Sequence, residues 1–201
     1  IFMEFAQDTA RLAKEQGLRN VFVSNGCMTA ESATALAEVI EGDNIDLKSF
    51  RDDFYRKVCK ARLQPVLDTI QRLKQLGVWI EVTTLVIPGH NDSDEELTDI
   101  AQFIKGVGPE IPWHVSAFYP TYQMLDRPRT PAATLLKARN IGLEVGLRYV
   151  YTGNIPGQGG ENAYCYSCGE RLIERLGYAV KGFILQEGKC PKCQTAIDGV
   201  W

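Results

Sequence analysis

Between residues 2 and 151 the chain alternates stretches of helical and strand-like hydrophobic period, and that alternation leaves few folds open. Phe2, Phe5, Ala6, Thr9, Leu12 and Ala13 share one face of a helix over 2–16, stopped by Gly17. Leu18 to Ser24 reads as a strand ending in the Asn25-Gly26 turn, followed by a helix over 30–41 closed by Gly42. Asn44 to Lys48 is a short second strand. Residues 64–76 predict a helix with Pro65 near its start and Gly77 after its end. Val78 to Ile87 is a third strand, stopped by Pro88-Gly89, and Ser93 with Glu96 forms a capping box for the next helix. A strand over Trp113 to Phe118, a helix from Thr130-Pro131 to 145 and a strand over Leu147 to Tyr151 complete the pattern. Such a pattern implies a parallel sheet with helices outside it. Five strands are too few to close an eight-stranded barrel. The expected fold class is therefore α/β, a partial (β/α) barrel, with its chemistry where strands end in loops.

The tail follows another rule. Cys165-x-x-Cys168 and Cys190-x-x-Cys193 have the spacing of a four-thiolate metal site, and the 21 residues between the pairs lie one beyond the usual ribbon range. Gly169 follows one pair and Pro191 sits inside the other, as tight turns require. So short a segment buries too little apolar surface to hold itself up, and a structural zinc supplies roughly 10–16 kcal/mol to such folds. Disulfides are the alternative. The expected division is a sheet portion over 1–155 and a zinc-ribbon-like tail over 156–201, joined through the glycine-rich run from Gly153 to Glu161. Four thiolates also suit iron or an Fe–S cluster.

Composition narrows the rest. The 201 residues carry a net charge of −3, with five basic against four acidic side chains in 165–201, which gives no basic surface for nucleic acid. No apolar run reaches membrane-spanning length, and two CxxC pairs fit a reducing, cytoplasmic compartment. Walker, GxGxxG, HExxH and GxSxG signatures are all missing. The chain opens Ile1-Phe2-Met3 inside a helical pattern, which suggests a piece of a longer protein.

One strand breaks the apolar pattern of a buried parallel sheet. Alternation puts Ile45 and Leu47 on one face, and Asn44, Asp46 and Lys48 on the other. The charged pair either faces a barrel mouth or lies on the wet side of an edge strand. Thr83 and Thr84 in the third strand, and His114 with Ser116 in the fourth, pose the same choice between a site and locally satisfied polar groups. Cys27, which follows the Asn25-Gly26 turn at the mouth, and Cys59 read as ordinary thiols, although the cationic neighbours of Cys59 offer a way to lower its pKa.

Taken together, Asn20 to Gly26, Asn44 to Lys48, Glu81 to Gly89, Pro112 to Ser116, Tyr149 to Gly157 and the closing ribbon resemble the radical S-adenosylmethionine enzyme of the AmmeMemoRadiSam system. That family is related to the pyruvate formate-lyase activating enzymes. The resemblance implies an enzyme whose CxxxCxxC motif holds a [4Fe–4S] cluster and whose Gly-Gly-Glu-Pro segment meets the cofactor amine. Neither motif occurs here, so both are expected before Ile1, and the piece alone is expected to be inactive. It further implies S-adenosylmethionine contacts from Asp46 and Lys48, with Ser24 and Asn25 nearby. Thr83 stands where activating enzymes carry an arginine. Their histidine matches a place near Pro120, so His114 is not its counterpart. The implied chemistry is reductive cleavage to a 5′-deoxyadenosyl radical that abstracts hydrogen from a protein or small-molecule substrate. Flavodoxin or ferredoxin is the implied electron donor. The competing reading is a ribbon-bearing module that binds a partner protein without catalysis of its own.

Overall fold

The computed structural model describes residues 2–155, 157–177 and 179–200; Ile1, on which the expectation of a longer chain rests, and Pro156 of the glycine-rich run lie outside the described residues. The chain divides into two compact units, Ile1–Thr84 and Leu85–Trp201. Among the described residues the main sheet has five strands in the order β1-β2-β3-β4-β5, with β1–β2, β2–β3 and β4–β5 paired in parallel, and a second sheet has three, β6-β7-β8.

The first unit begins with α1 (Met3–Glu15), β1 (Val21–Ser24) and α2 (Ala30–Ala37). The helix of α2 ends earlier than the pattern predicts. Val39 and Ile40 turn into the core instead of continuing it, and Gly42 opens β2 (Gly42–Asp46) rather than closing the helix. A short turn α3 (Asp52–Phe54) leads into a π-helical segment, Tyr55–Cys59, that sequence periodicity did not indicate. Then come α4 (Leu63–Gln75) and β3 (Trp79–Val86).

Gly26 shows how tightly the first turn is fitted. Its φ is +68°, and a Cβ there would lie 2.6 Å from Ile45 Cγ2 and 3.0 Å from Val66 Cγ1 of α4. The turn therefore needs glycine twice, for backbone conformation and for space.

In the second unit, α5 (Asp94–Val107) starts at Ser93, whose hydroxyl accepts the Glu96 N–H as the capping box requires. It is followed by β4 (Trp113–Ala117), α6 (Ala132–Val145) and β5 (Val150–Gly153), the last displaced toward the C-terminus from the predicted 147–151. The Thr130 hydroxyl, fully buried, donates to the Val86 carbonyl at 2.6 Å and accepts the Phe118 N–H at 2.8 Å. The ribbon forms an antiparallel sheet of β6 (Ala163–Tyr164), β7 (Arg171–Leu176) and β8 (Ala179–Phe183). No helix among the described residues is long and apolar enough to cross a membrane.

Replacing Gly26 by Ala combines a left-handed backbone penalty with overpacking against Ile45, at a cost of about 2–4 kcal/mol. Urea unfolding of the variant should show a midpoint lowered accordingly, with an unchanged slope.

Candidate functional site

The parallel register of β2 and β3 sets Asp46 beside Thr83 and Asn44 beside Glu81. Ile45 and Leu47 are fully buried on the opposite face, so the polar residues of β2 share the other. There the Thr83 hydroxyl donates to Asn44 Oδ1 at 2.7 Å. Lys48, two residues beyond the end of β2, folds back so that its Nζ lies 2.9 Å from Asp46 Oδ2. Both side chains keep about a third of their surface, 32% and 29%. A pair this exposed gains little net stability, and both charged groups remain in partial contact with water. The backbone behind Lys48 is fixed: its N–H donates to the buried Tyr55 hydroxyl at 3.0 Å, and the Leu47 carbonyl accepts from Thr84 Oγ1 at 2.8 Å. The π-helical segment thus positions Lys48 through Tyr55, in keeping with the frequency of such segments near functional sites.

Asp46, Lys48 and Thr83 are therefore brought together. Ser24 and Asn25 go elsewhere. The Ser24 hydroxyl donates to Asp43 Oδ2 at 3.0 Å, on the face shared by Ile45, while Asn25 Oδ1 accepts the Cys27 N–H at 3.0 Å and closes the turn. Asp43 was not singled out from the sequence, although counting back two positions from Ile45 places it on the covered face. It is 1% exposed, its Oδ1 lacks a hydrogen-bond partner, and burial pushes its carboxyl up to about 6 against the one Ser24 bond. Cys59 does not gain the lowered pKa that its cationic neighbours offered. Burial pushes its thiol up, opposed by Lys48, while the neighbouring Arg56 and Lys57 are engaged by Asp52 and Asp53.

In the ribbon, the sulfurs of Cys165, Cys168, Cys190 and Cys193 all lie within 4.8 Å of one another. The Cys165–Cys193 and Cys168–Cys190 separations are 3.6 and 3.7 Å. Disulfides would need about 2.05 Å. Tetrahedral thiolates at ~2.3 Å from one ion stand about 3.8 Å apart, so the site fits a single ion. A polynuclear cluster would spread its thiolates over two or more irons. Two matching turns present the sulfurs: Gly169 N–H donates to Cys165 O at 2.8 Å, and Gln194 N–H to Cys190 O at 2.9 Å. Their φ values are +73° and +61°. The Thr195 hydroxyl, 3.2 Å from Cys193 Sγ, and the Thr195 N–H hold that thiol down at about 6, toward the thiolate a metal requires. Around the site, Tyr149, Leu172, Ile173, Leu185 and Ile197 pack with the buried Cys165 and Cys190. Asp198 takes two bonds from Arg148, at 2.8 and 3.0 Å, and one from the Tyr149 hydroxyl at 2.9 Å.

A parallel sheet with outer helices, a polar strand face and a separate four-cysteine centre define a class. The family model described as the radical SAM superfamily matches residues 1–104, and the chain belongs to that superfamily. It is 44% identical over 201 residues to an uncharacterized protein of Methanocaldococcus jannaschii, covering 98% of this chain and 60% of that protein. Similarity to the GTP 3',8-cyclase of Aquifex aeolicus is 28% identity over 102 residues, 49% of this chain and 31% of the cyclase. The pyruvate formate-lyase 1-activating enzyme of Escherichia coli is 23% identical over 107 residues, 52% of this chain and 44% of that enzyme. The chain thus spans 60% or less of the length of these relatives. Among solved structures, a domain of a pyruvate-formate lyase-activating enzyme from Bacteroides vulgatus shares the fold with a TM-score of 0.62 at 18% identity, covering 76% of this chain and 91% of that domain. SuiB of Streptococcus suis bound to S-adenosylmethionine gives 0.55 at 10% identity, covering 73% of this chain and 34% of SuiB.

Two outcomes follow from these groups. Because the Asp43 carboxyl is raised in the folded state, its stability contribution is intact below about pH 4 and lost as pH rises through about 6. Asp43→Asn should therefore stabilise the protein by about 1–3 kcal/mol above pH 6 and by nothing near pH 4, read from urea unfolding across that range. Purified protein should carry one metal ion per chain by elemental analysis, and Cys190→Ser should lose it and expose 163–197 to limited proteolysis.

Proposed function

We propose that this chain contributes the cofactor-holding strands of a radical S-adenosylmethionine enzyme akin to glycyl-radical-enzyme activases. The observation that carries the reading is the half-exposed Asp46–Lys48 pair beside Thr83 on the polar face of β2 and β3. The cofactor's methionyl end bears one ammonium and one carboxylate, and the strand offers a carboxylate and an ammonium 2.9 Å apart. Asp46 accepts from the ligand's cationic or hydroxyl donors, Lys48 meets its carboxylate, and Thr83 orients Asn44 alongside. Ser24 supports the adjoining turn through its side chain, its Oγ accepting the Gly26 N–H at 3.3 Å. In this reading Ser24 and Asn25 shape the cofactor pocket from the end of β1.

When bound and reduced, S-adenosylmethionine supplies a 5′-deoxyadenosyl radical for hydrogen abstraction. These 201 residues hold no CxxxCxxC, so no step through a [4Fe–4S] cluster is assigned to them. A flavodoxin- or ferredoxin-type protein in a reducing, cytoplasmic setting is the electron donor that fits. The ribbon, taken as a functional portion over 156–201, holds zinc, or iron in the same four-sulfur geometry, as a structural element.

Asp46→Asn removes one charge from the pair and should weaken S-adenosylmethionine binding about tenfold, or ~1.4 kcal/mol. Calorimetry on the intact protein measures this directly, and an unchanged affinity would reject the pocket role of the strand.

A further inference from the structure

The second unit carries a polar face that the Asp46–Lys48 reading leaves unused. Along β4, His114 and Ser116 alternate with the buried Trp113, Val115 and Ala117. Helix α6 lies on the Trp113 side, since a Cβ at Gly142 would stand 2.9 Å from both Trp113 Cε3 and Val150 Cγ2. His114 and Ser116 therefore occupy the face turned away from α6. The register pairs them with Tyr151 and Gly153 of β5, which take the same face. The His114 and Tyr151 rings are 5.4 Å apart and inclined by 31°. Gly153 makes room for its neighbour, because a Cβ there would sit 2.5 Å from Ser116 Oγ.

The ribbon adds a cation to this face. The guanidinium carbon of Arg175, on β7, stands 5.9 Å from the centre of the Tyr151 ring. Its strand is held in place by the backbone, with Arg175 N–H donating to Asn162 Oδ1 at 2.7 Å. The guanidinium itself makes one long bond, from Nη1 to the Glu161 carbonyl at 3.4 Å. Among the described residues it pairs with no carboxylate. A half-buried guanidinium with five donors and one weak bond has most of its recognition capacity unspent. Removing a cation from water without a counter-charge is unfavourable, and an incoming anion offsets that cost.

We propose that Arg175, with Ser116, His114 and Tyr151, forms an oxyanion site that takes the carboxylate or phosphate group of the substrate. Calling its ligand the substrate rests on the radical S-adenosylmethionine reading; the anion site itself does not. The guanidinium fork matches two oxygens of either group, Ser116 offers a hydroxyl on the same face, and the neighbouring Tyr151 and His114 rings supply a flat wall. The ribbon then has a second role beyond holding its metal: it delivers a specificity-determining side chain to the sheet.

The test is a titration of intact protein labelled with [15N]arginine, the Arg175 Nε signal being assigned by its loss in Arg175→Lys. Inorganic phosphate and succinate are added separately at matched chloride ionic strength. The expected result is a saturable millimolar shift of that signal with at least one probe, the tighter one naming the group. By calorimetry, Arg175→Gln should weaken that binding at least tenfold, Arg175→Lys less, and Ser116→Ala about threefold. No saturable shift with either probe, or equal binding by Arg175→Gln, overturns the proposal. The two readings separate cleanly. Arg175→Gln should keep its S-adenosylmethionine affinity, and Asp46→Asn should keep the anion-induced shift.

Discussion

The register between β2 and β3 is the constraint on which the first unit depends. Parallel pairing puts Asp46 beside Thr83 and Ile45 beside Val82, so each strand divides into a buried face and a polar one at the same height. A slip of one residue would drive Asp46 and Lys48 onto the buried face, where Val66 lies near Ile45, and bring Ile45 out to water. Burying two ions in that way costs several kcal/mol each. The residues that fix the fold and the residues proposed to hold the cofactor are thus the same strand read from opposite sides. Gly26 closes the arrangement by wedging between Ile45 and Val66 where any side chain would intrude.

The ribbon solves a different problem. Its apolar cluster is small, and two of its most buried members are themselves cysteines. Such a core gains its definition from the ion that the four sulfurs are spaced to hold, and from polar anchoring by Asp198. That carboxylate ties Arg148 and Tyr149, which lead into β5, to the last turn of the chain. Arg148 in turn lies over the Tyr166 ring at 4.5 Å, two residues before Cys168. Stacking and ion pair together hold one short segment beside the four sulfurs.

Much of this was legible in the sequence because it depends on local period. Alternation in Asn44–Lys48 separated the two faces correctly, the CxxC spacing gathered the four sulfurs, and Ser93 with Glu96 marked the start of α5. What escaped was set by tertiary packing. The end of α2 moved because burial of Val39 and Ile40 outweighed helical continuation. The π-helical segment follows from docking Tyr55 against Lys48, a contact between residues seven apart with no periodic signature. Ser24 turned toward Asp43 because strand parity, not proximity to the turn, decides which face a side chain takes. Ribbon strands β7 and β8 were hidden by mixed composition: exposed Leu176, Val180 and Phe183 are interspersed with charges.

The two metal-facing turns are built alike but not of equal material. Gly169 reaches its left-handed backbone without strain, whereas Gln194 occupies the corresponding place with a Cβ, at a penalty of about 1–2 kcal/mol. While an ion is bound, its affinity for Cys190 and Cys193 compensates that penalty. Once the ion departs, the second knuckle has a reason to spring open that the first lacks. Loss of metal should therefore be asymmetric, releasing the C-terminal pair first and leaving Cys165 and Cys168 as the nucleus on which the ribbon reassembles.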